Sequence, residues 1–437
     1  MTTKSKLIST GMQLALSDTA QTLMRGRYEL QRRFRKSAHV VTTYIRPDDP
    51  YSLLLLRRIR DLVDAYDVTI DLKVVVGGSS PEYFPAAAEL ADYARRDVAL
   101  LASMLGEPFA DKPSMQFLYG VAAMSAITAE GEDFDTALES LVDLTEAFWA
   151  GDESRLAEAV APLNPIRLEE ARQIAEHNRT RLLEAGHYNS AMLNYGGEWY
   201  WGIDRLHYLT ERLDRLGLRR SARSDAGKRL RSIITVLNPP LPPEVRKEGS
   251  GTLEFYHSFR SPYSYLALER TFRLADCFGL DLDIRPVLPM VLRGLPVPRS
   301  KRMYIITDVN REAKRYGVPF GRIADPLNAA EACIALFIEA KEKQHDREFL
   351  LNVGRAAWAE GIDLTDSGAL ATVAARSGLG REQVSAALGS DAARDYAAAN
   401  RDRLHGAGLW GVPSFRTGGL DLWGQDRLGV LTHHLMQ

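Results

Sequence analysis

Three short motifs occur twice in this chain, in the same order, and this repetition constrains the fold more than any other feature. A Pro-Tyr-Ser motif, a Gly-x-Pro-Phe motif and a Trp-Gly-x-Asp-Arg-Leu motif each reappear 211 to 222 residues later. The paired segments are 49–52 with 261–264, 106–109 with 317–320, and 201–206 with 423–428. Three matches in the same order are not expected by chance. The sequence therefore predicts two tandem copies of one domain, for which a chain of 437 residues has room.

A proline-rich segment separates the two sets of motifs. Residues 238–243 carry four prolines, and Gly-Ser-Gly follows at 249–251. Because proline cannot continue a helix or a central strand, we expect a semi-rigid linker here. The predicted organisation is an N-terminal helical extension over 1–37, a first domain over 38–216, a helical and proline-rich linker over 217–251, and a second domain over 252–437.

Each half shows the same succession of local patterns. A β-branched run leads to a helix opened by proline, a second β-branched run, a long helical region, a hairpin with two glycines, and a last helix. The predicted strands are 39–45 and 68–76 in the first half, and 253–256 and 282–287 in the second. Pro50 and Pro262 suit the first helical position, where no backbone donor is needed. The pattern predicts a split α/β layer with a helical insertion in each half.

The charge balance argues against nucleic acid as the main partner. The formal net charge is −2, whereas proteins that bind phosphates usually carry a strongly basic balance. Basic runs occur within 25–36 and 219–231, and each is predicted to be a solvated helix face. No apolar stretch approaches the ~20 residues needed to cross a bilayer, so we expect no membrane partner.

The cysteine content indicates a reducing compartment. The chain has only Cys277 and Cys333, both within apolar helical patterns, and we expect two free buried thiols. Charged and polar residues interrupt the segment 5–36, which therefore does not resemble a secretory signal. We expect a cytoplasmic protein. Because no paired metal-ligand spacing occurs, no metal site is predicted.

Four segments of the second half together resemble one enzyme family. They are Phe-Tyr-His-Ser-Phe-Arg-Ser-Pro-Tyr-Ser-Tyr-Leu-Ala at 255–267, the run from Pro298 to Phe320, Trp-Gly-Val-Pro-Ser-Phe at 410–415, and Trp-Gly-Gln-Asp-Arg-Leu at 423–428. The set is similar to 2-hydroxychromene-2-carboxylate isomerases and the related kappa-class glutathione transferases, which are DsbA-like thioredoxin-fold proteins. The resemblance covers residues 252–435 well, and residues 38–216 as a degenerate copy. It implies an α/β fold of two tandem thioredoxin-like domains, each with an all-helical insertion.

Ser261 is the candidate catalytic residue. In the enzymes that this segment resembles, it stands where thioredoxin-like oxidoreductases have their first cysteine. It directly precedes Pro262 at a predicted helix start, where the helix dipole and unpaired backbone N–H groups favour an anion. A hydroxyl there can donate to a thiolate and so lower the pKa of a bound thiol. The alternative is that Ser261 only caps the helix.

The resemblance implies further residues that bind glutathione. Val412-Pro413 is similar to the cis-proline loop of those enzymes, and its backbone would pair with an extended peptide. Lys301 would face the substrate or a glutathione carboxylate. Gln425 and Asp426 belong to the closing motif, in which Asp426 would take the amino group of the γ-glutamyl end. The alternatives are that Pro413 is an ordinary trans proline at a strand start and that Lys301 is a surface lysine. For Asp426, the alternative is a charge at a helix start that complements the dipole.

The second half departs from the family pattern at one informative position. Ser258 stands where family members commonly have Asp, so specificity for a chromene carboxylate does not follow from the resemblance. The neighbouring His257 is a conceivable acid–base group. A histidine in an early strand is more often a core or edge residue, and we predict that role for it.

The first half departs more strongly from the same pattern. Its counterparts of three proposed site residues are Asp49 for Ser261, Leu90 for Lys301, and Ala191 for Pro413. A carboxylate at that helix start suits the dipole but would repel a thiolate. We therefore expect the first half to be a scaffold or to serve another use.

These observations predict a glutathione-dependent isomerase or transferase, with glutathione as its cofactor and a small aromatic molecule as its substrate. One alternative is a non-catalytic thioredoxin-fold protein that binds a peptide or partner. A thiol–disulfide oxidoreductase is the weakest alternative, because no Cys-x-x-Cys pair occurs. The resemblance implies that related single-domain enzymes associate in pairs through their helical regions. We therefore expect the two halves of this chain to form an intramolecular pseudo-dimer, which can assemble further into a homo-oligomer.

Overall fold

Two four-stranded sheets with the same strand order organise the molecule. The computed structural model describes residues 10–75, 77, 81–220, 225–242, 251–295, 297–388 and 392–437. The chain divides into a first domain over 25–239 and a second domain over 240–437, to which the described residues before Arg25 also belong. Each domain contains one of the two sheets.

The first domain inserts a set of helices between its second and third strands. Its strands are β1 (Val40–Ile45), β2 (Thr69–Val74), β3 (Met192–Tyr195) and β4 (Glu198–Trp201). Its helices are α1 (Asp18–Phe34, which begins before the domain boundary), α2 (Pro50–Ala65), α3 (Ala87–Leu105), α4 (Leu118–Gly131), α5 (Phe134–Ala150), α6 (Glu153–Val160), α7 (Pro165–Glu184), α8 (Leu206–Arg215) and α9 (Asp225–Leu237). The helices from α3 to α7 form the insertion.

The second domain repeats this arrangement. Its strands are β5 (Thr252–His257), β6 (Asp281–Pro286), β7 (Ser414–Thr417) and β8 (Leu420–Trp423). Its helices are α10 (Pro262–Phe278), α11 (Arg299–Tyr316), α12 (Ala330–Glu342), α13 (Asp346–Arg355), α14 (Ser367–Ala375), α15 (Arg381–Leu388), α16 (Ala392–Gly406) and α17 (Leu428–Met436), with a short 3-10 turn at Gln425–Arg427. The predicted α/β class, with a helical insertion in each half, is confirmed.

Strand register decides which loops meet in each sheet. β1 is parallel to β2 and antiparallel to β3, and β5 is likewise parallel to β6 and antiparallel to β7. Tyr44 pairs with Met192 in the first sheet, and Tyr256 pairs with Ser414 in the second. The end of β5 therefore lies beside the start of β7, and the loops attached to these ends approach each other.

The helices α2 and α10, which follow the first strand of each sheet, begin in the same way. Asp49 and Ser261 are their N-caps, and a proline occupies the first turn of both. Proline has its φ angle fixed near the helical value, so it favours a helix start at that point. The run 53–56 of α2 consists of four buried leucines. Burial of each such side chain contributes about 1.5–3 kcal/mol, which fixes the helix within the domain core. Leu53 packs against residues of the helical insertion such as Val121 and Phe148.

The described part of the N-terminal extension is helical, but it is divided between the domains. In the second domain, Leu16 is buried, and its carbonyl accepts a hydrogen bond from Asn310 Nδ2 at 3.0 Å. From Arg25 onward α1 belongs to the first domain, where the Tyr195 hydroxyl donates to Glu29 at 2.8 Å.

The boundary between the domains falls between Pro239 and Pro240, inside the predicted linker over 217–251. Within that linker, α9 packs on α2 and α3 of the first domain. Residues 221–224 and 243–250 of the linker lie outside the described residues, as does Val76 at the end of a predicted strand. None of the helices that the structure describes is both long enough and apolar enough to span a membrane.

Candidate active site

Ser261 lies where the loop after β5 turns into α10. Its hydroxyl oxygen accepts a hydrogen bond from the Ser264 backbone N–H at 3.1 Å, which makes it the helix cap. The same hydroxyl lies 3.4 Å from the Val412 carbonyl oxygen, to which it donates. The hydroxyl is therefore held at the positive end of α10 and faces the loop that precedes β7.

The loop that faces Ser261 contains a cis peptide bond between Val412 and Pro413, as the sequence predicted. The Pro413 carbonyl accepts a hydrogen bond from the Gly424 N–H at 2.9 Å. This bond joins the loop to the turn that carries Gln425 and Asp426. Residues from three separate parts of the chain thus meet at the same end of the second sheet.

Lys301 lies in the first turn of α11, whose course is set by contacts with α10. Near the start of α10 the Tyr263 hydroxyl donates to Asp308 Oδ2 at 2.8 Å, and farther along both helices the Arg270 guanidinium lies 3.8 Å above the Tyr316 ring. The two helices therefore run in the same direction. Lys301 precedes Asp308 by seven residues, which is about 10 Å of helix. It thus lies beyond the start of α10, at the end where the candidate site is.

Burial changes the charge behaviour of Lys301. The surrounding protein disfavours the ammonium form and lowers the pKa of Lys301 to about 8. The side chain is therefore a cation at neutral pH that loses its charge in the mildly alkaline range. A lysine with this property can attract a carboxylate below pH 8 and release it above.

The Gln425 side chain is bonded within the protein. It is fully buried, and its Nε2 donates to Glu312 Oε2 at 2.8 Å. Its Oε1 and its main-chain carbonyl both accept hydrogen bonds from Arg270. Both ends of the carboxamide are thus already used within the protein. Asp426, the next residue, is only half-buried.

His257 and Ser258 lie at the end of β5, beside the candidate site, and both are buried. Desolvation lowers the pKa of His257 to about 3, so its imidazole is neutral at physiological pH. Its ring contacts Phe255 and Phe259 edge-on. Among the described residues, neither His257 Nδ1 nor Ser258 Oγ has a hydrogen-bond partner. The histidine is a core residue, in agreement with the sequence interpretation.

The corresponding helix start in the first domain holds a carboxylate. Asp49 accepts hydrogen bonds from the Tyr51 N–H at 3.2 Å, the Ser52 hydroxyl at 2.9 Å and the Ser190 hydroxyl at 2.8 Å. Burial raises the pKa of Asp49 despite these donors. The neighbouring Ala191 has a positive φ of 53°. This helix start is thus occupied by an acid that its own neighbours satisfy.

Sequence reasoning missed the groups that hold the turn at 424–427. Arg270 lies 155 residues from Gln425, and Glu312 lies 113 residues from it, so no local pattern connects them. The sequence does mark Gln425 and Glu312 in one way, because the first half has apolar residues at the equivalent positions. No group of three or more His, Cys, Asp or Glu side chains suited to a metal ion occurs in the part of the chain that the structure describes.

Residues 252–436 match the family described as the DSBA-like thioredoxin domain. A 2-hydroxychromene-2-carboxylate isomerase of Pseudomonas putida is 30% identical over 190 residues, which are 41% of this chain and 91% of that protein. The isomerase of the same name from Sphingobium xenophagum is 27% identical over 193 residues, 42% of this chain and 98% of that protein. A solved structure of a 2-hydroxychromene-2-carboxylate isomerase is 26% identical, covers 42% of this chain and 94% of its own, and has a TM-score of 0.38. Through residues 252–436, the chain belongs to the DSBA-like thioredoxin domain family.

Proposed function

We propose that the second domain is a glutathione-dependent isomerase or transferase that acts on a small aromatic substrate. The observation that carries the proposal is the position of the Ser261 hydroxyl, which lies at the start of α10 and 3.4 Å from the Val412 carbonyl. The relatives are named as isomerases. Their names favour isomerisation over the transfer of glutathione.

The groups around Ser261 fit glutathione as a ligand. A separation of 3.4 Å is long for an O–H···O hydrogen bond, so the hydroxyl can turn to a stronger acceptor with little loss. The positive end of α10 favours a negative charge at the same point. Bound glutathione supplies a thiol, which is a nucleophile in its thiolate form.

Each residue of the site has a distinct task in this proposal. Ser261 donates to the bound sulfur and holds it as a thiolate. Val412, next to Pro413, offers its backbone to the peptide backbone of the ligand. Lys301 attracts a carboxylate of the ligand or substrate below pH 8. Asp426 takes the amino group of the γ-glutamyl end.

Because of Ser258, we do not assign the substrate of the relatives to this chain. The end of β5 offers a neutral hydroxyl beside the neutral imidazole of His257, where family members commonly have a carboxylate. A change of charge at this point alters which polar groups of a substrate are tolerated. We therefore assign a class of small aromatic substrates and not the chromene carboxylate itself.

Titration calorimetry with glutathione tests the proposal directly. We expect the parent protein to bind glutathione and to convert one or more compounds of an aromatic panel only when glutathione is present. Lack of binding at millimolar glutathione would contradict the proposal. Binding of glutathione without turnover of any compound would instead support a non-catalytic binding protein.

We further propose that the two domains arose by tandem duplication and that the first has lost the site. Equivalent positions make equivalent contacts in both domains. Tyr51 donates to Asp97 at 2.6 Å as Tyr263 does to Asp308 at 2.8 Å, and Asn178 donates to the Val74 carbonyl at 3.1 Å as Asn400 does to the Pro286 carbonyl at 2.9 Å. The identical strand order supports the same origin. The intramolecular pseudo-dimer and any further homo-oligomer stay predictions.

Thiol–disulfide exchange is the least favoured activity. Cys333 is fully buried, and desolvation raises the pKa of its thiol to about 12. Cys277 is half-buried and donates to the Pro242 carbonyl at 3.2 Å. Cys333 thus lacks the exposed, low-pKa character of a reactive cysteine, and the Cys277 thiol is engaged with a backbone carbonyl. Both are free thiols, which supports a cytoplasmic location as part of the proposal.

A further inference from the structure

A polar network lies behind the turn that carries Asp426. Gln425 Nε2 donates to Glu312 Oε2 at 2.8 Å, and Arg270 donates to the Gln425 main-chain carbonyl at 3.2 Å and to its Oε1. Gln425 is 0% exposed and Glu312 2% exposed. The Arg270 guanidinium also lies 3.8 Å above the Tyr316 ring. The network thus ties α10, α11 and the turn to one another.

The first domain has apolar residues at the positions equivalent to Gln425 and Glu312. The motif offsets put Ile203 where Gln425 stands and Leu101 where Glu312 stands, and both are buried. Arg58, the counterpart of Arg270, pairs with Glu107 instead. The fold can therefore form with an apolar pair at these positions.

Burial of polar groups in the second domain has a cost that the first domain avoids. A buried carboxylate and a buried carboxamide lose their hydration, and their mutual hydrogen bonds only offset that loss. What the pair adds over an apolar contact is direction, because hydrogen bonds fix the carboxamide in one orientation. The turn at 424–427 is thereby held on one side by Glu312 and Arg270.

The turn is also attached to the cis-proline loop. The Gly424 N–H donates to the Pro413 carbonyl at 2.9 Å. The turn is thus fixed between the network and the loop that faces Ser261. The position of Asp426 relative to that loop depends on both attachments.

We propose that Glu312 and Arg270 are positioning residues, which act through Gln425 to hold Asp426 at the amino group of bound glutathione. This inference rests on the proposed function for the identity of the ligand. It replaces direct ligand binding by the Gln425 side chain with an indirect role. It also explains why the second domain keeps a buried polar pair where the first has Ile203 and Leu101.

The test replaces Glu312 and Gln425 with the residues of the first domain, in the double variant Glu312→Leu/Gln425→Ile. We expect cooperative unfolding as in the parent. Amide hydrogen exchange at 424–427, measured without ligand, should be about tenfold faster or more. Glutathione affinity, measured by calorimetry, should fall about ten- to a hundredfold, in line with the loss caused by removing a group that orients a metal ligand.

Two controls separate positioning from general damage. Glu312→Gln keeps an acceptor oxygen for Gln425 Nε2, so its exchange rates and affinity should stay within about threefold of the parent. Ile203→Val alters the equivalent turn of the first domain and should leave glutathione affinity unchanged.

Each outcome decides a separate point. Parent-like exchange and affinity in the double variant would overturn the inference, and so would a Glu312→Gln variant as impaired as the double variant. A parent that does not bind glutathione would refute the proposed function. In that case the exchange rates at 424–427 still decide whether the network positions the turn.

Discussion

The helix starts of the two domains share a backbone and differ in chemistry. In the second domain the Ser261 hydroxyl caps α10 and has a single long contact with the Val412 carbonyl. In the first domain Asp49 caps α2 and accepts a hydrogen bond from the Ser190 hydroxyl, at the position equivalent to Val412. One helix start leaves its hydroxyl available to a ligand, and the other uses its carboxylate within the protein.

This difference separates what the fold needs from what the proposed site needs. A capping side chain, a proline in the first turn and a buried helix face occur in both domains. A hydroxyl at the cap, a cis-proline and a polar network behind the turn occur only at the described site of the second domain. Features found in both domains are explained by folding, and those found in one are candidates for function.

The largest effect is expected when the second site receives the residue of the first, in Ser261→Asp. Aspartate is a good N-cap, so folding should be retained. Two like charges about 4 Å apart repel by roughly 4 kcal/mol at an effective dielectric constant of 20, which corresponds to roughly a thousandfold loss of affinity for the thiolate form of glutathione. Calorimetry on the folded variant measures this. Parent-like affinity would mean that the ligand sulfur does not lie at Ser261.

A smaller effect is expected for Lys301→Leu, which also copies the first domain. We expect about a tenfold loss of affinity, because one favourable charge interaction disappears. Lys301 is charged below its pKa of about 8, so the parent should bind less tightly as the pH rises through that value. The variant should show a smaller decline, since only the amino group of the ligand then titrates. Titration of S-methylglutathione from pH 6 to 10 removes the titration of the thiol, and the difference between the two proteins then reports the lysine. An equal decline in both proteins would exclude Lys301.

The smallest effect is expected from replacing both cysteines, in Cys277→Ala/Cys333→Ala. Glutathione-dependent turnover should stay within about twofold of the parent, with about 1 kcal/mol of stability lost at the buried site. The parent should not reduce insulin disulfides, because Cys333 is buried with a raised pKa and Cys277 is half-buried and bonded to the Pro242 carbonyl. Loss of turnover in a folded double variant would show that a thiol takes part in the reaction.

The sequence predicted those parts of the site that lie in contiguous motifs. The helix start at Ser261 and the strand and helix order were predicted because turn and cap residues act on their immediate neighbours. The cis bond before Pro413 was implied by the family resemblance. The repeat supplied the two-domain plan, since the same local signals recur in the same order. Local chemistry therefore accounts for the order of elements and for the helix cap at Ser261.

The features that the sequence did not predict depend on contacts between residues far apart in the chain. The bonds of Gln425 with Glu312 and Arg270 bring together groups more than a hundred residues apart, and no spacing rule indicates them. Gln425 was predicted to be among the ligand-binding residues, and its bonds within the protein were not predicted. The docking of Leu16 on Asn310 was missed for the same reason, because a side-chain amide bonded to a backbone carbonyl leaves no pattern in the sequence.

The most direct test of the central claim is the pKa of the glutathione thiol in its complex with the protein. It is followed by thiolate absorbance against pH in the parent, Ser261→Ala and Asp49→Ala proteins. A hydrogen bond to a charged group contributes about 1.5–3 kcal/mol, so loss of the Ser261 hydroxyl should raise that thiol pKa by about 1 to 2 units.

Turnover by Ser261→Ala at neutral pH should fall about ten- to a thousandfold, with at most ~1 kcal/mol of stability lost from the cap. Asp49→Ala should leave both the thiol pKa and turnover close to those of the parent. If Asp49→Ala raised the thiol pKa and abolished turnover while Ser261→Ala changed neither, the site would lie in the first domain and the account would be wrong.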